Sequence, residues 1–549
     1  MPKAPLEATP SAYAYPLLIR HLLHSPLAQA PDQEIVYSHR VRHTYRTFRE
    51  RIGRLASGLE SLGIGSGDTV AVMDWDSHRY LECYFAVPMM GAVLHTVNIR
   101  LSPEQMLYTI NHAEDDVILV HADFVPVLER ISPRIERKVR FVLIADGGKP
   151  PASKLEFSSE YESLLSRGDP GYEFGDFDEN TRATTFYTTG TTGDPKGVSF
   201  THRHLVLHTL GFLLMLAWSG LQGRFHRDDV YMPMTPMFHV HGWGIPYGAT
   251  LMGVKQVYPG RYEPSLLLDL IRREKVTFSH CVPTILHMLL SSSKVQEVDL
   301  SRWKVIIGGA ALSHGLAKRA LGLGIDVFTA YGLSETCPLI TCAQLTREML
   351  EWGANEQLAM RCKTGRAGPL VDIRVVDEKF SDIPRDGKTT GEVIVRAPWL
   401  TMGYVKDPER SEELWRDGYL HTGDIASIDE RGYLQLTDRL KDIIKSGGEW
   451  ISSLELESFI SQVAGVSEVA AIGVPHEKWG ERPLVLVVPK REYAGKLTEE
   501  TIKKHLRGFV ERGVLSTWAV PDQVRFVEAL EKTSVGKIDK KLLRQKYSA

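Results

Sequence analysis

Six short stretches of this chain gather residue types suited to phosphate chemistry. The densest is Tyr187-Thr188-Thr189-Gly190-Thr191-Thr192-Gly193-Asp194-Pro195-Lys196-Gly197, directly after the run Thr184 to Phe186. Its glycines let backbone close around an anion, its threonine hydroxyls can donate to phosphate oxygens or face a metal ion, and Lys196 adds a point charge. A Walker A loop needs Gly before the lysine and Ser or Thr after it, whereas Pro195 and Gly197 flank Lys196. Gly308-Gly309-Ala310-Ala311 follows the strand-like Val305 to Ile307, a place where paired glycines let a ligand press on backbone N–H groups. Tyr331-Gly332-Leu333-Ser334-Glu335-Thr336 offers a carboxylate for Mg²⁺ beside a triphosphate and a ring to cover a purine.

Tyr419-Leu420-His421-Thr422-Gly423-Asp424 presents a carboxylate after glycine, suited to accept two ribose hydroxyls. Asp438 to Lys445 carries five charges in eight residues and runs on into Ser446-Gly447-Gly448-Glu449-Trp450. Near the C-terminus, Thr533-Ser534-Val535-Gly536-Lys537 sets a lysine after glycine on what reads as an exposed loop. Taken singly, that lysine is unremarkable, and a solvated face is the second reading of the charged run. Tight or surface turns remain the alternative reading of the Gly308, Tyr331 and Tyr419 stretches taken one at a time.

The elements that must position these motifs follow from periodicity. A short strand pair and a helix from about Tyr45 to Leu62 come first, closed by glycines 63, 65 and 67. A βα rhythm follows: Thr69 to Met73, Ala92 to Thr96 and Asp116 to Val120 as strands, Ser77 to Met90 and Ser102 to His112 as helices. It resumes at Val230, Val254 to Tyr258, Thr277 to His280 and Val305 to Ile307. Apolar strands alternating with amphipathic helices predict mostly parallel sheets covered on both faces. After about Leu420 the texture changes to strand-turn-strand around Ile425 to Leu436, then to a compact α+β tail with strands at Val466 to Val474 and Pro483 to Val488 and a helix at Glu499 to Arg512. The boundary is expected near Asp438 to Lys441, a connection short enough for a hinge.

Composition narrows the classes. With 549 residues the chain has room for a large catalytic body plus a small domain, and its net charge of -3, from 65 Lys plus Arg and 68 Asp plus Glu, advertises no nucleic-acid surface. The five cysteines form no CxxC pair or zinc-like spacing, which fits a reducing compartment. Met1 to Arg20 does not read as a secretory signal, and the last three residues are no peroxisomal address. A cytoplasmic location is expected. Leu205 to Gly223 lacks Asp, Glu, Lys and Arg over 19 residues; a buried helix is the first reading and peripheral membrane contact the second.

In this order, the motifs resemble the AMP-forming acyl-adenylate superfamily, most of all its medium- and long-chain fatty acyl-CoA synthetases. The resemblance runs from Tyr45-Arg46-Thr47-Phe48 to Lys540. It implies an α/β fold: a large N-terminal domain of layered sheets and helices with a distorted barrel (1–438), and a small mobile α+β domain (439–549) turning on a hinge near Lys441. It implies ATP, Mg²⁺ and coenzyme A as partners of a carboxylic acid, and a homodimer, since whole-chain relatives are often dimeric. Residue by residue, Thr188 to Lys196, including Thr189, Gly190, Thr191, Thr192 and Gly193, matches the loop for the β- and γ-phosphates. Glu335, with Thr188, matches the Mg²⁺ ligands. Gly309, Ala310, Tyr331, Gly332 and Thr336 match the nucleotide side, Asp424 the ribose acceptor, and Arg439 the arginine at the domain junction. Lys537 matches the lysine that meets carboxylate and α-phosphate during adenylation. Lys445, Gly448 and Trp450 match the opposite face used for thioester formation. His239, Val240, His241, Trp243 and Gly308 match the acyl site, with Trp243 as the gate of a fatty-acid tunnel. His241-Gly242 stands where the closest long-chain relatives have an asparagine-alanine pair, so chain length stays open. Short branched, methylthio, cyclic and aromatic acids are alternative substrates, as are reverse flux to ATP and loading of a carrier protein. Against the last, only Ile538 to Ala549 follow Lys537.

Overall fold

The computed structural model describes residues 8–147, 152–188, 194–217, 222–439, 442–446, 449–534 and 536–548. The βα rhythm of the first third becomes a seven-stranded sheet, parallel except where Arg182–Thr188 turns back on Lys196–Thr201. Its central strands, Thr69–Met73 and Val117–His121, are buried at every position, as expected when helices cover both faces. The helix Tyr45–Ser61 packs on one of those faces; Thr44 caps it, accepting from the Thr47 N–H.

A second sheet of nine strands takes up the later rhythm. Val230–Met234, Phe278–Cys281, Lys304–Ile307 and Asp326–Gly332 pair in parallel, and the early hairpin Glu34–Tyr37 with Val41–Thr44 closes one edge through Lys255–Tyr258. One apolar core joins this sheet to the first, running from Tyr45 and Phe85 through Phe186, Trp243 and Trp399. The five-stranded antiparallel sheet built on Asp372–Val376, Gly391–Arg396 and Tyr419–Ile428 is bent by register shifts at Glu392/Ile394 and Ile425/Ala426. Its last hairpin, Tyr419–Ile428 with Leu434–Arg439, turns where the sequence places Asp429 to Gly432: the Asp429 carboxylate accepts from the N–H groups of Arg431 and Tyr433, and Gly432 takes φ 80°.

A separate α+β layer follows. Val466–His476 and Gly480–Pro489 form its long antiparallel pair, Gln523–Phe526 joins in parallel, and Ser453–Ile460 and Glu499–Glu511 cover one face while Lys540–Tyr547 covers the other. Large mixed α/β body and small α+β unit are thus the architecture of the chain. The charge-free segment after His202 forms the helix His202–Ala217, mostly buried, with Leu210 and Leu214 facing outward. Among the described residues no helix is long and apolar enough to cross a membrane.

Candidate functional site

The motifs converge at the carboxyl ends of parallel strands, where open α/β sheets hold ligands. Thr188 and Lys196 are register partners at the mouth of the Arg182–Thr188/Lys196–Thr201 hairpin. Thr189, Gly190, Thr191, Thr192 and Gly193, which join them, lie outside the described residues. Gly308 and Gly309 follow Lys304–Ile307, and Gly332 ends Asp326–Gly332. Gly332 is sterically compelled: a Cβ there would stand 1.6 Å from the Pro338 carbonyl oxygen. Beyond it, Ser334–Thr336 forms a single 3₁₀ turn that presents Glu335. Thr336 is fully buried, and its hydroxyl is spent on Leu333 and Pro338, so it shapes the turn from beneath.

Tyr331 and Asp424 lie side by side, the phenol donating to the carboxylate at 2.7 Å. Asp424 is only 4% exposed. Burial raises its pKa, while Arg439, its cross-strand partner with Nε at 3.4 Å, and the Tyr331 hydroxyl pull it back. Such a carboxylate is pre-aimed, with one oxygen on Tyr331 and the other toward Arg439.

Lys537 departs from its sequence expectation of an exposed loop. It is half-buried, and a Cβ on Gly309 would stand 3.1 Å from its Cε. Three side chains of the large body hold its loop: Asn98 donates to Ser534 Oγ at 3.0 Å, Arg100 to the Ser534 carbonyl at 3.2 Å, and Thr284 to the Gly536 carbonyl at 2.9 Å. Burial first, then the Arg439 charge, pushes the Lys537 ammonium down to about 8 against the pull of Asp424 and Glu335. A cation therefore lies against Gly309, with Arg439 opposing its charge and Asp424 and Glu335 supporting it.

His239 to Gly244 hold a surprise for periodicity. Val240, His241, Gly242, Trp243 and Gly244 all have positive φ, between 47° and 72°, forming a left-handed turn. For the three non-glycine residues this costs roughly 1–2 kcal/mol each. The turn aims alternate side chains apart. Trp243 packs against Gly308, where a Cβ would stand 2.9 Å from the ring, and 5.0 Å from His280. His241 instead points into a box of Tyr84, Phe186, Phe200 and Tyr247, fully buried, with neither ring nitrogen partnered and its pKa pushed by burial down to about 3. His239, beside Lys537, is likewise held neutral, down to about 3, by burial and then by the lysine.

Lys445 is exposed on Ile444–Ser446 of the small unit, its N–H held by Glu481 at 2.9 Å, and so belongs to a different element from the Lys537 loop. Trp450 is its register partner, its side chain outside the described residues, as are Lys441 and Gly448. Sequence reasoning missed Asn98 and Arg100, and also Tyr404, whose hydroxyl donates to Glu335 Oε1 at 2.7 Å and whose ring lies 4.4 Å below Lys196 Nζ. None sits in a charge-dense stretch; their partners lie from 69 to more than 400 residues away along the chain.

Elsewhere, His43, His78 and Glu82 have metal-like spacing beside a cavity of about 640 Å³. Arg51 already pairs with both Glu82 oxygens, and Tyr161 donates to one of them, so the position of a cation is taken by a guanidinium.

Fold and site define an adenylate-forming enzyme. Residues 23–405 match the family model described as AMP-binding enzyme, and 455–537 match AMP-binding enzyme C-terminal domain. The chain is 42% identical over 513 residues to a long-chain-fatty-acid–CoA ligase of Thermus thermophilus, covering 92% of this chain and 90% of that one. It is 39% identical over 502 residues to a 3-methylmercaptopropionyl-CoA ligase of Ruegeria pomeroyi, covering 90% of each. The ATP-bound structure of MatB from Rhodopseudomonas palustris superimposes with a TM-score of 0.81 at 26% identity, over 97% of this chain and 99% of that chain. The chain belongs to the AMP-binding enzyme family, and it is an AMP-forming acid:CoA ligase.

Proposed function

We propose that the acid is a medium- or long-chain fatty acid, activated in the site centred on Lys537 and passed to coenzyme A. The observation that carries the site assignment is the lysine of the small unit held against Gly309, beside Arg439 and Asp424. A carboxylate is a poor electrophile, so its oxygen first attacks the α-phosphorus of ATP, the bond from α-phosphorus to the bridging oxygen breaks, and pyrophosphate leaves. Lys537 offsets charge on the incoming carboxylate and the α-phosphate, and Lys196 on the departing pyrophosphate. Asp424 accepts from the ribose hydroxyls and Tyr331 lies at the adenine side, with Gly309, Ala310 and Gly332 leaving room for the nucleotide. The coenzyme A thiol then gives its proton to solvent, the thiolate attacks the acyl carbonyl, the acyl carbon–oxygen bond of the anhydride breaks, and AMP leaves with that oxygen.

Glu335 and Thr188 supply a carboxylate and a hydroxyl, hard oxygen donors that suit Mg²⁺. When bound there, the ion neutralises phosphate charge. We assign the large domain to 1–438 and the small one to 439–549, with the pivot at Lys441; rotation would bring Lys445, Gly448 and Trp450 to the site for the second step. A cytoplasmic, homodimeric enzyme is part of the same reading, as is peripheral membrane contact through Leu210 and Leu214.

Trp243 against Gly308, with Val282 against the neighbouring Gly309, supports an apolar acyl site. Similarity to the Thermus long-chain ligase favours a fatty acid; similarity to the Ruegeria ligase keeps methylthio acids as the second reading. The test is AMP release from ATP across straight-chain, branched, methylthio, cyclic and aromatic acids, each with and without coenzyme A. The highest kcat/KM is expected for a straight chain of medium or long length; a methylthio or aromatic acid at the top replaces the first reading, and silence with every acid refutes it.

A further inference from the structure

Lys196 and Glu335 carry opposite charges into one half-buried site, yet no ion pair joins them among the described residues. Both instead touch Tyr404, the lysine over the ring face at 4.4 Å and the carboxylate at the hydroxyl, 2.7 Å away. In that contact the phenol hydroxyl is the donor and Glu335 Oε1 the acceptor.

The ring is not there by chance of a flexible loop. Tyr404 pairs with Val198 as an isolated antiparallel bridge, Val405 N–H donates to the Gly197 carbonyl at 2.9 Å, and the Tyr404 N–H donates to Ser411 Oγ at 2.8 Å. On the other side, Thr401 N–H donates to the Glu335 carbonyl at 2.9 Å, and its hydroxyl to the Ser199 carbonyl at 3.1 Å. The segment Thr401 to Val405 is thus stitched both to the strand that starts at Lys196 and to the turn that presents Glu335.

We propose that Tyr404 is a positioning residue for the triphosphate end of the site. Its ring occupies the lysine ammonium by a cation–π contact, and its hydroxyl takes one carboxylate oxygen, so the two charges do not neutralise each other before ATP arrives. Lys196 stays available to a phosphate and the second Glu335 oxygen to a cation. Tyr404 acts through Lys196 and Glu335, the two charged groups it contacts. The inference rests on the adenylating reading of this site.

The experiment compares wild type, Tyr404→Phe and Tyr404→Leu in acid-dependent ATP–pyrophosphate exchange without coenzyme A, titrated in Mg²⁺ and ATP. Calorimetric binding of MgATP without turnover gives the same comparison independently. Tyr404→Phe keeps the ring and loses one hydrogen bond to a charged group, so Mg²⁺ half-saturation and MgATP Kd are expected to rise about tenfold, with recovery at high Mg²⁺. Tyr404→Leu also loses the ring, and a further rise of at least a few-fold is expected that Mg²⁺ does not rescue. KM for the acid and thioester formation from supplied acyl-adenylate are expected to stay near wild type in both. A wild-type Mg²⁺ curve and MgATP Kd in Tyr404→Phe, or equal losses in both half-reactions, overturn the positioning role alone. A wild type silent in exchange with every acid overturns the adenylating reading, and this inference with it.

Discussion

Removing the Lys537 charge should separate the two half-reactions and, at the same time, stabilise the empty enzyme. The ammonium is pushed from 10.5 down to about 8. At 1.36 kcal/mol per unit, holding it charged at pH 7 costs about 3 kcal/mol, an upper limit because the loop can relax outward. A lysine whose folded pKa lies below its unfolded one binds its proton more weakly when folded, so this cost is fully present below about pH 8 and fades as pH climbs towards 10.5. Lys537→Met should therefore raise denaturant stability at pH 7 by up to about 3 kcal/mol, with the gain shrinking above pH 8. In the same variant, adenylate formation should fall on the order of 10²- to 10³-fold, the loss typical of one preorganised donor to developing charge. Thioester formation from supplied acyl-adenylate should change little. In wild type, kcat/KM for the acid should decline above about pH 8 as the ammonium deprotonates, and Lys537→Arg should move that decline to higher pH. Equal losses in both half-reactions, or a flat profile from pH 7 to 9, would refute the assignment.

Asp424→Asn leaves Tyr331 and Arg439 facing a neutral amide, so KM for ATP should rise roughly 10- to 100-fold while KM for the acid holds; isothermal titration with ATP checks it. Gly308→Ala sets a methyl 2.9 Å from Trp243 and 3.0 Å from the Ala330 carbonyl, and Trp243→Ala removes the ring. At about 0.8 kcal/mol per methylene, the first should shorten and the second lengthen the preferred acid by several carbons, and an unchanged acyl profile for both places the gate elsewhere. Lys441→Pro restricts the proposed pivot, so single-turnover thioester formation should slow more than adenylation; normal rates in both steps would move the hinge.

Much of the architecture was legible because it rests on local patterns. Buried parallel strands such as Thr69–Met73 read as continuous apolar runs, and the Asp429–Gly432 turn carries its own hydrogen-bonding residues. Glu335 and Asp424 stand out by residue type and setting and Lys537 only through the family resemblance, but the environments of all three were not legible. Lys537 reads as solvated because Gly536 and its neighbours are polar; its burial comes from Asn98, Arg100 and Thr284 in another part of the chain. The left-handed turn at Val240–Trp243 violates the preference of β-branched and aromatic residues, which no pattern of hydrophobicity predicts. His241 reads as a pocket residue, yet the same turn rotates it into an aromatic box behind Trp243. Tyr404 is silent in sequence because its two partners, Lys196 and Glu335, are far from it along the chain.

The most direct test of acid attack at the α-phosphorus uses a substrate acid labelled with ¹⁸O in both carboxylate oxygens, followed by mass spectrometry of the products. One ¹⁸O should appear in AMP and none in pyrophosphate, with the other retained in the acyl-CoA carbonyl. Label in pyrophosphate or in free phosphate, or AMP without label, would contradict the adenylate route.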